Sequence, residues 1–250
     1  MRPRSSSSAL AWTAVVAVLG IGLAGCTSAG STGSAAGSAT SAAVAPSTAA
    51  PAPASPAPVA GSLSKTVVVT LEPVRRSGAL VAGWSAGPLD PSQQLDCTGA
   101  SSSPAALSPA VMDCAPSAAT ADTCWASATA GQALCLQDPW SRRLARYAVS
   151  GALPTQVPAV AHADPLGLQL ADGRHCRLRD GGSGEFQAGH PTWVEWYYCG
   201  GSILTSLWGP QDTGAPIDRS KPVWTVQFGS PTGTLTKVAV AKAFYVATAA

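Results

Sequence analysis

The chain contains no asparagine, and lysine and isoleucine are scarce. No charged residue occurs between Arg4 and Lys65, and no aromatic residue between Trp12 and Trp84. A stretch with neither cannot bury enough surface to offset its ordering entropy, so a folded domain is expected only from residue 65 onward. There is no C-x-x-C pair, and His175, beside Cys176, has no partner at zinc-ligand spacing. That argues against a structural zinc. The G-x-x-x-x-G-K-[ST] phosphate cradle is missing. The Gly-rich loop Asp180-Gly181-Gly182-Ser183-Gly184-Glu185 holds too few carboxylates for a calcium loop and reads as a turn. No cofactor is expected. Long apolar stripes at the helical period are absent as well, which speaks against a helical protein.

What is present begins with Arg2 and Arg4, followed by an apolar run from Leu10 to Leu23. Gly20, Gly22 and Gly25 break the run, and it falls short of the roughly 20 apolar residues that a spanning helix needs. A charged start, an apolar middle and small residues before a cleavage point make a secretory signal peptide over residues 1–25. Leu23-Ala24-Gly25-Cys26 resembles the lipobox of bacterial lipoproteins. That resemblance implies cleavage before Cys26 and a lipid on its sulfur. Two acyl chains hold a protein stably where one does not. The membrane is therefore an expected partner, through Cys26, and the expected location is the outer, extracytoplasmic face of the bacterial cell membrane. The richness in Ala, Gly and Pro fits a high-GC genome, and with the lipobox it suggests an actinobacterial lipoprotein.

Residues 26–64 read as the lipidated cysteine plus a disordered Ala/Ser/Pro-rich tether, a composition shared with O-glycosylated stalks. Residues 65–250 read as the folded domain, with residues 153–165 as a join between two subdomains. Without Arg2 and Arg4 the 15 basic residues fall to 13, which balance the 13 acidic ones. Such neutrality gives no reason to expect nucleic acid as a partner.

Assigning Cys26 to lipid leaves six of the seven cysteines, an even set in an exported chain. Short loops close most easily. Six cysteines allow fifteen pairings, which sequence alone does not choose between, and short loops favour Cys97–Cys114, Cys124–Cys135 and Cys176–Cys199.

Short apolar runs bounded by Gly, Pro and Asp predict a mainly β domain of antiparallel strands and hairpins, with a few short helices, stapled by disulfides. The expected strands include Thr66–Leu71, Ala79–Trp84, Ala133–Leu136, Leu144–Val149, Leu166–Leu170 and His175–Leu178. Further strands are expected at Thr192–Cys199, Ile203–Trp208, Val223–Phe228 and Leu235–Val246. Asp172-Gly173 and Gly200-Gly201 read as hairpin turns. In the last run Val238, Val240, Phe244 and Val246 share one strand face, Lys242 interrupts it, and an Ala-rich helix is the alternative. Ala105–Val111 and Pro116–Asp122 read as short helices.

Three features could carry function. Tryptophan is frequent in the domain; the rings either pack beside disulfides or form a glycan-binding platform. Trp193 and Trp196 would point to opposite faces of a regular strand, which leaves at most one of them in the core. Two basic groups, Arg174 with His175, Arg177 and Arg179, and Arg142 with Arg143 and Arg146, are either solvated faces paired with acids or sites for an anionic envelope polymer or lipid headgroup. Gly83-Trp84-Ser85-Ala86-Gly87 matches the G-x-S-x-G elbow of serine hydrolases, with His162, His175 or His190 as the base and Asp138 or Asp164 as its orienter. However, Pro88 and Pro91 block the helix that must follow such an elbow.

The domain is similar in style to uncharacterised actinobacterial exported proteins, in its C-x₉-C-W and C-L-Q-D-P-W between Asp113 and Trp140 and in Ala171–Asp180. The reading that follows is a membrane-anchored binding or interaction module whose partner is an envelope glycan, an anionic polymer or an envelope protein. The alternatives are a structural lipoprotein that supports assembly, and a serine hydrolase using Ser85.

Overall fold

β-Branched and aromatic residues in short runs, separated by Gly, Pro and Asp, favour strands over helices. The computed structural model describes residues 63–114, 121–158, 160–179, 186–200, 202–213 and 216–250. The signal peptide, Cys26, most of the tether, the loop at 180–185, Gly201 and residues 116–120 of the second expected helix lie outside that set.

The protein is mainly β. Its strands are β1 (Val67–Leu71), β2 (Ser85–Asp96), β3 (Ser101–Ser102), β4 (Met112–Asp113), β5 (Cys124–Ala126), β6 (Gln132–Cys135), β7 (Arg143–Ser150) and β8 (Gly167–Leu170). They continue with β9 (His175–Leu178), β10 (Phe186–Gln187), β11 (His190–Cys199), β12 (Ser202–Pro210), β13 (Ile217–Asp218), β14 (Thr225–Gly229) and β15 (Thr236–Val246). Among the described residues the only helical turn is Gln211–Thr213.

Strands β8, β9, β11, β12, β14 and β15 follow one another around a closed antiparallel barrel, because β15 pairs with β14 on one side and β8 on the other. Closure removes the sheet edges that would otherwise invite pairing with another chain. Asp172-Gly173 makes the β8–β9 turn, with Gly173 at a φ of 88° that an L side chain rarely adopts. Leu168, Leu170, Leu178, Tyr197, Leu207 and Val240 fill the interior. The Tyr197 hydroxyl donates to the Pro165 carbonyl at 2.9 Å, and complete burial holds its pKa well above the usual phenol value.

The C-terminal run is a strand, with a bulge. Val240 faces Leu170 and Lys242 faces Gln169, so Ala241 is the extra residue. A bulge shifts the alternation by one. Val238 and Val240 therefore share the barrel interior with Ala243 and Tyr245, while Val246 turns to a second core. The expectation of one common face for Val238, Val240, Phe244 and Val246 is thereby corrected. Parallel strand β1 lies along the second half of β15. At its start the Thr66 hydroxyl donates to the Val240 carbonyl at 2.7 Å and accepts from the Trp224 N–H at 2.8 Å, tying β15 to β14.

The smaller sheet runs β2-β7-β6-β5-β4-β3. Strand β2 is an edge and carries Pro88 and Pro91, which an edge tolerates because it need not donate on both sides. All three expected disulfides form: Cys97–Cys114, Cys124–Cys135 across β5 and β6, and Cys176–Cys199 across β9 and β11 inside the barrel. One face of the small sheet buries the first two bridges with Met112 and Tyr147. Its other face joins Trp125, Leu134 and Leu144 to Val74, Leu166 and Val246 from the barrel side. Trp140 also crosses from the small sheet and stacks on His175 at 4.4 Å. Gly167 makes room for it, since a Cβ there would lie 2.7 Å from Pro139 and 3.0 Å from the Trp140 ring.

Two expected elements take other forms. Ala105–Val111 is turn and loop, not helix. The Leu107 N–H donates to the Val246 carbonyl at 2.8 Å and the Val246 N–H to Ala105 at 3.2 Å, so tertiary pairing takes the groups a helix would use, and Pro109 offers no N–H. Ala79–Trp84 makes a single bridge, Leu80 to Val74, before a turn at Gly83 with φ 83°; the strand begins only at Ser85.

One exposed carboxylate gives a pH prediction. The Ser220 hydroxyl donates to Asp218 at 2.6 Å and the Ser220 N–H at 3.1 Å, with Lys237 at 3.4 Å adding less. These contacts lower the Asp218 pKa from 3.8 to about 2. A depressed carboxylate pKa contributes stability that is present above its unfolded value and lost as the pH falls through the folded one. In a carbon-detected NMR titration the Asp218 carboxyl should therefore titrate near pH 2, and Ser220→Ala should move that midpoint up toward 3.8. An unchanged midpoint in the variant would refute the assignment to Ser220.

Candidate functional site

Alternation places a set of side chains on the outer wall of the barrel. Leu207 points inward, so Trp208 points outward, and its partners Glu195 and Gln227 share that face. Trp193, two residues before Glu195, follows. Trp208 is buried, and its indole N–H donates to the Gly229 carbonyl at 3.0 Å. Beside it the wall opens into a cleft of about 470 Å³ lined by Gln187, His190, Trp193, Gln227 and the loop Thr232-Gly233-Thr234-Leu235.

The floor is aromatic. The exposed His190 ring stacks on the partly buried Trp193 ring, with centroids 4.3 Å apart and planes inclined by 21°. The walls are amide and hydroxyl, and they are tied together. The Gln187 side chain donates to the Gly233 carbonyl at 2.8 Å and accepts from the Gly189 N–H at 2.7 Å. The Ala188 N–H donates to Pro231 at 2.8 Å. These bonds clamp the β10–β11 turn to the 230–234 loop, so the cleft is held in shape without a ligand. Gln227, Thr232 and Thr234 add donors and acceptors that carry no charge.

The sequence-derived candidates fall around this cleft in different ways. Trp193 lines it. Trp196 occupies the bulge between Glu195 and Tyr197 and packs against the barrel core. The bulge breaks the regular alternation on which the opposite-face expectation rested, and neither ring is fully exposed. His175, Arg177 and Arg179 alternate onto the outer face of the β9 region with Arg174 beside them just before the strand, and the guanidinium of each arginine has an intramolecular carboxylate. Arg174 pairs with Asp172 and lies 3.5 Å over the Phe228 ring. Arg177 reaches the buried Asp122 at 2.7 Å and the Gln137 carbonyl, which ties the barrel to the small sheet. Arg179 meets Glu195 at 2.9 Å, and the Ser206 hydroxyl donates to the same carboxylate. Of the two basic groups, this one serves to join elements of the fold.

Ser85 opens β2 and is not followed by a helix. Its hydroxyl donates to the Arg142 carbonyl at 3.4 Å, and among the described residues no histidine bonds to it. His175 is stacked on Trp140, and His190 on Trp193. Among the described residues no group of three or more metal-ligating side chains comes together. The contributions of Gln187, Gln227 and the 232–235 loop were not visible in the sequence, because only the closed barrel brings strands β10, β11, β14 and β15 to one place. No protein-family model, curated protein or solved structure matches this chain.

Proposed function

We propose that the protein is a lipid-anchored, extracytoplasmic module that binds a neutral glycan of the bacterial cell envelope in the cleft at Trp193. The observation that carries this reading is the Trp193–His190 stack set between uncharged amide and hydroxyl walls. A sugar ring offers an apolar C–H face and a rim of hydroxyls. An indole suits the first, and Gln187, Gln227, Thr232 and Thr234 suit the second. The anchor is the lipid expected on Cys26, and the uncharged tether would let the domain reach away from the membrane.

A glycan array probed with the full chain tests the reading. Binding to at least one envelope oligosaccharide is expected, with Trp193→Ala weakening it by about tenfold or more, since an indole buried against a ligand typically contributes well over 1 kcal/mol. Equal binding by the variant would remove this cleft from consideration. For the anchor, palmitate labelling in cells should disappear in Cys26→Ala; labelling that persists would overturn lipidation at that position.

A further inference from the structure

The second basic group has a different environment from the first. Among the described side chains, Arg142, Arg143 and Arg146 have no carboxylate within ion-pair distance, in contrast to Arg174, Arg177 and Arg179. Arg143 and Arg146 line a cleft of about 570 Å³ between β2 and β7, separate from the Trp193 cleft. The cleft exists because of the irregular edge strand. Ala86 pairs with Leu144 and Leu89 with Arg146, so β2 spends three residue steps where β7 spends two, and the ladder is interrupted at Gly87-Pro88.

The Arg146 Nε is buried with no hydrogen-bond partner among the described residues. That guanidinium has lost water on one side, and a buried polar group left unsatisfied is costly. A negative partner at its remaining nitrogens would offset the loss. Arg143 adds a second, exposed guanidinium on the same cleft. Asp138 lines it as well, and its carboxylate accepts from the Trp140 N–H at 2.9 Å. Among the described side chains that line the cleft, two arginines against one aspartate leave one formal positive charge, which matches a singly charged anion. Pro88, Leu89 and Ala145 give the remaining wall an apolar character, and Leu89 is 39% exposed.

We infer that this cleft binds an organic monoanion, a carboxylate or phosphodiester carried on an apolar body, with Arg143 and Arg146 holding the anionic group. Guanidinium forks match either oxyanion, and the apolar wall takes the attached chain. The site is independent of glycan binding at Trp193.

Titration calorimetry on the full chain tests it with hexanoate and dibutyl phosphate as probes. Saturable binding of at least one is expected, the tighter probe identifying the oxyanion. Affinity should fall about tenfold or more in Arg146→Gln and in Arg143→Gln, and should weaken with added salt. Arg143 is exposed, so its variant keeps the test open should Arg146→Gln fail to fold. Trp193→Ala should leave probe binding unchanged. Absence of saturable binding, equal affinity in both arginine variants, or inorganic phosphate binding as tightly as dibutyl phosphate would each overturn the proposal.

Discussion

Replacing Cys176 and Cys199 together by alanine should lower the unfolding free energy by about 3 kcal/mol. The bridge closes a loop with a sequence separation of 23 residues, and a constraint of that length on the unfolded chain is worth roughly that much. Both sulfurs are also buried in the barrel interior, between β9 and β11, so their loss opens a small cavity in addition. Chemical denaturation under non-reducing conditions measures the effect. The double variant should unfold at a clearly lower denaturant midpoint than the parent. A loss below about 1 kcal/mol would mean that the closed hydrogen-bonded barrel holds this pair of strands without covalent help.

The second large effect is expected from Arg179→Met. Arg179 and Glu195 are both nearly buried on the outer wall, with side-chain exposures of 12% and 7%. Removing the guanidinium leaves a buried carboxylate that has lost its ion pair with Arg179. Breaking such a pair from one side typically costs about 3–5 kcal/mol. Replacing both partners by apolar residues, Arg179→Met with Glu195→Leu, should recover much of that loss, because neither member of this pair is then left buried without the other. Thermal unfolding of the parent, the single variants and the double variant gives the coupling directly. A single variant as stable as the parent would show that Glu195 is held chiefly by Ser206 and by water. Because Glu195 lies two residues from Trp193, a loosened wall should also reach the Trp193 cleft.

Much of the fold was legible in the sequence. Strand positions such as His175–Leu178 and Thr192–Cys199 follow from alternation and from turn residues, which are local signals. The disulfide pairing was legible for a related reason: each bridge joins cysteines that are sequence neighbours among the six, and two of the bridges span neighbouring strands. The misread elements are those in which a distant partner decides. Ala105–Val111 has helix-forming residues, yet its backbone groups pair with Val246, far along the chain. The face of β15 could not be assigned because a bulge at Ala241 depends on the register against β8. Ser85 sits in a motif that suggests an elbow, but it opens an edge strand.

The basic groups make the same point for function. Two triads of arginine look alike in the sequence. In the folded protein Arg174, Arg177 and Arg179 each meet a carboxylate, and Asp122 and Glu195, 55 and 16 residues away along the chain, reach Arg177 and Arg179 only after folding. Composition and short-range order by themselves pointed to the β class, the positions of the barrel strands, the favoured cysteine pairing and the expected anchor at Cys26. Only the tertiary structure decided that six strands close into a barrel, which arginines are neutralised within the protein, and which aromatic pair faces a cleft. The physical reason is that turns, alternation and signal segments are encoded by near neighbours. Register, ion pairing and clefts depend on which distant strands meet, and that is fixed by packing of the whole core.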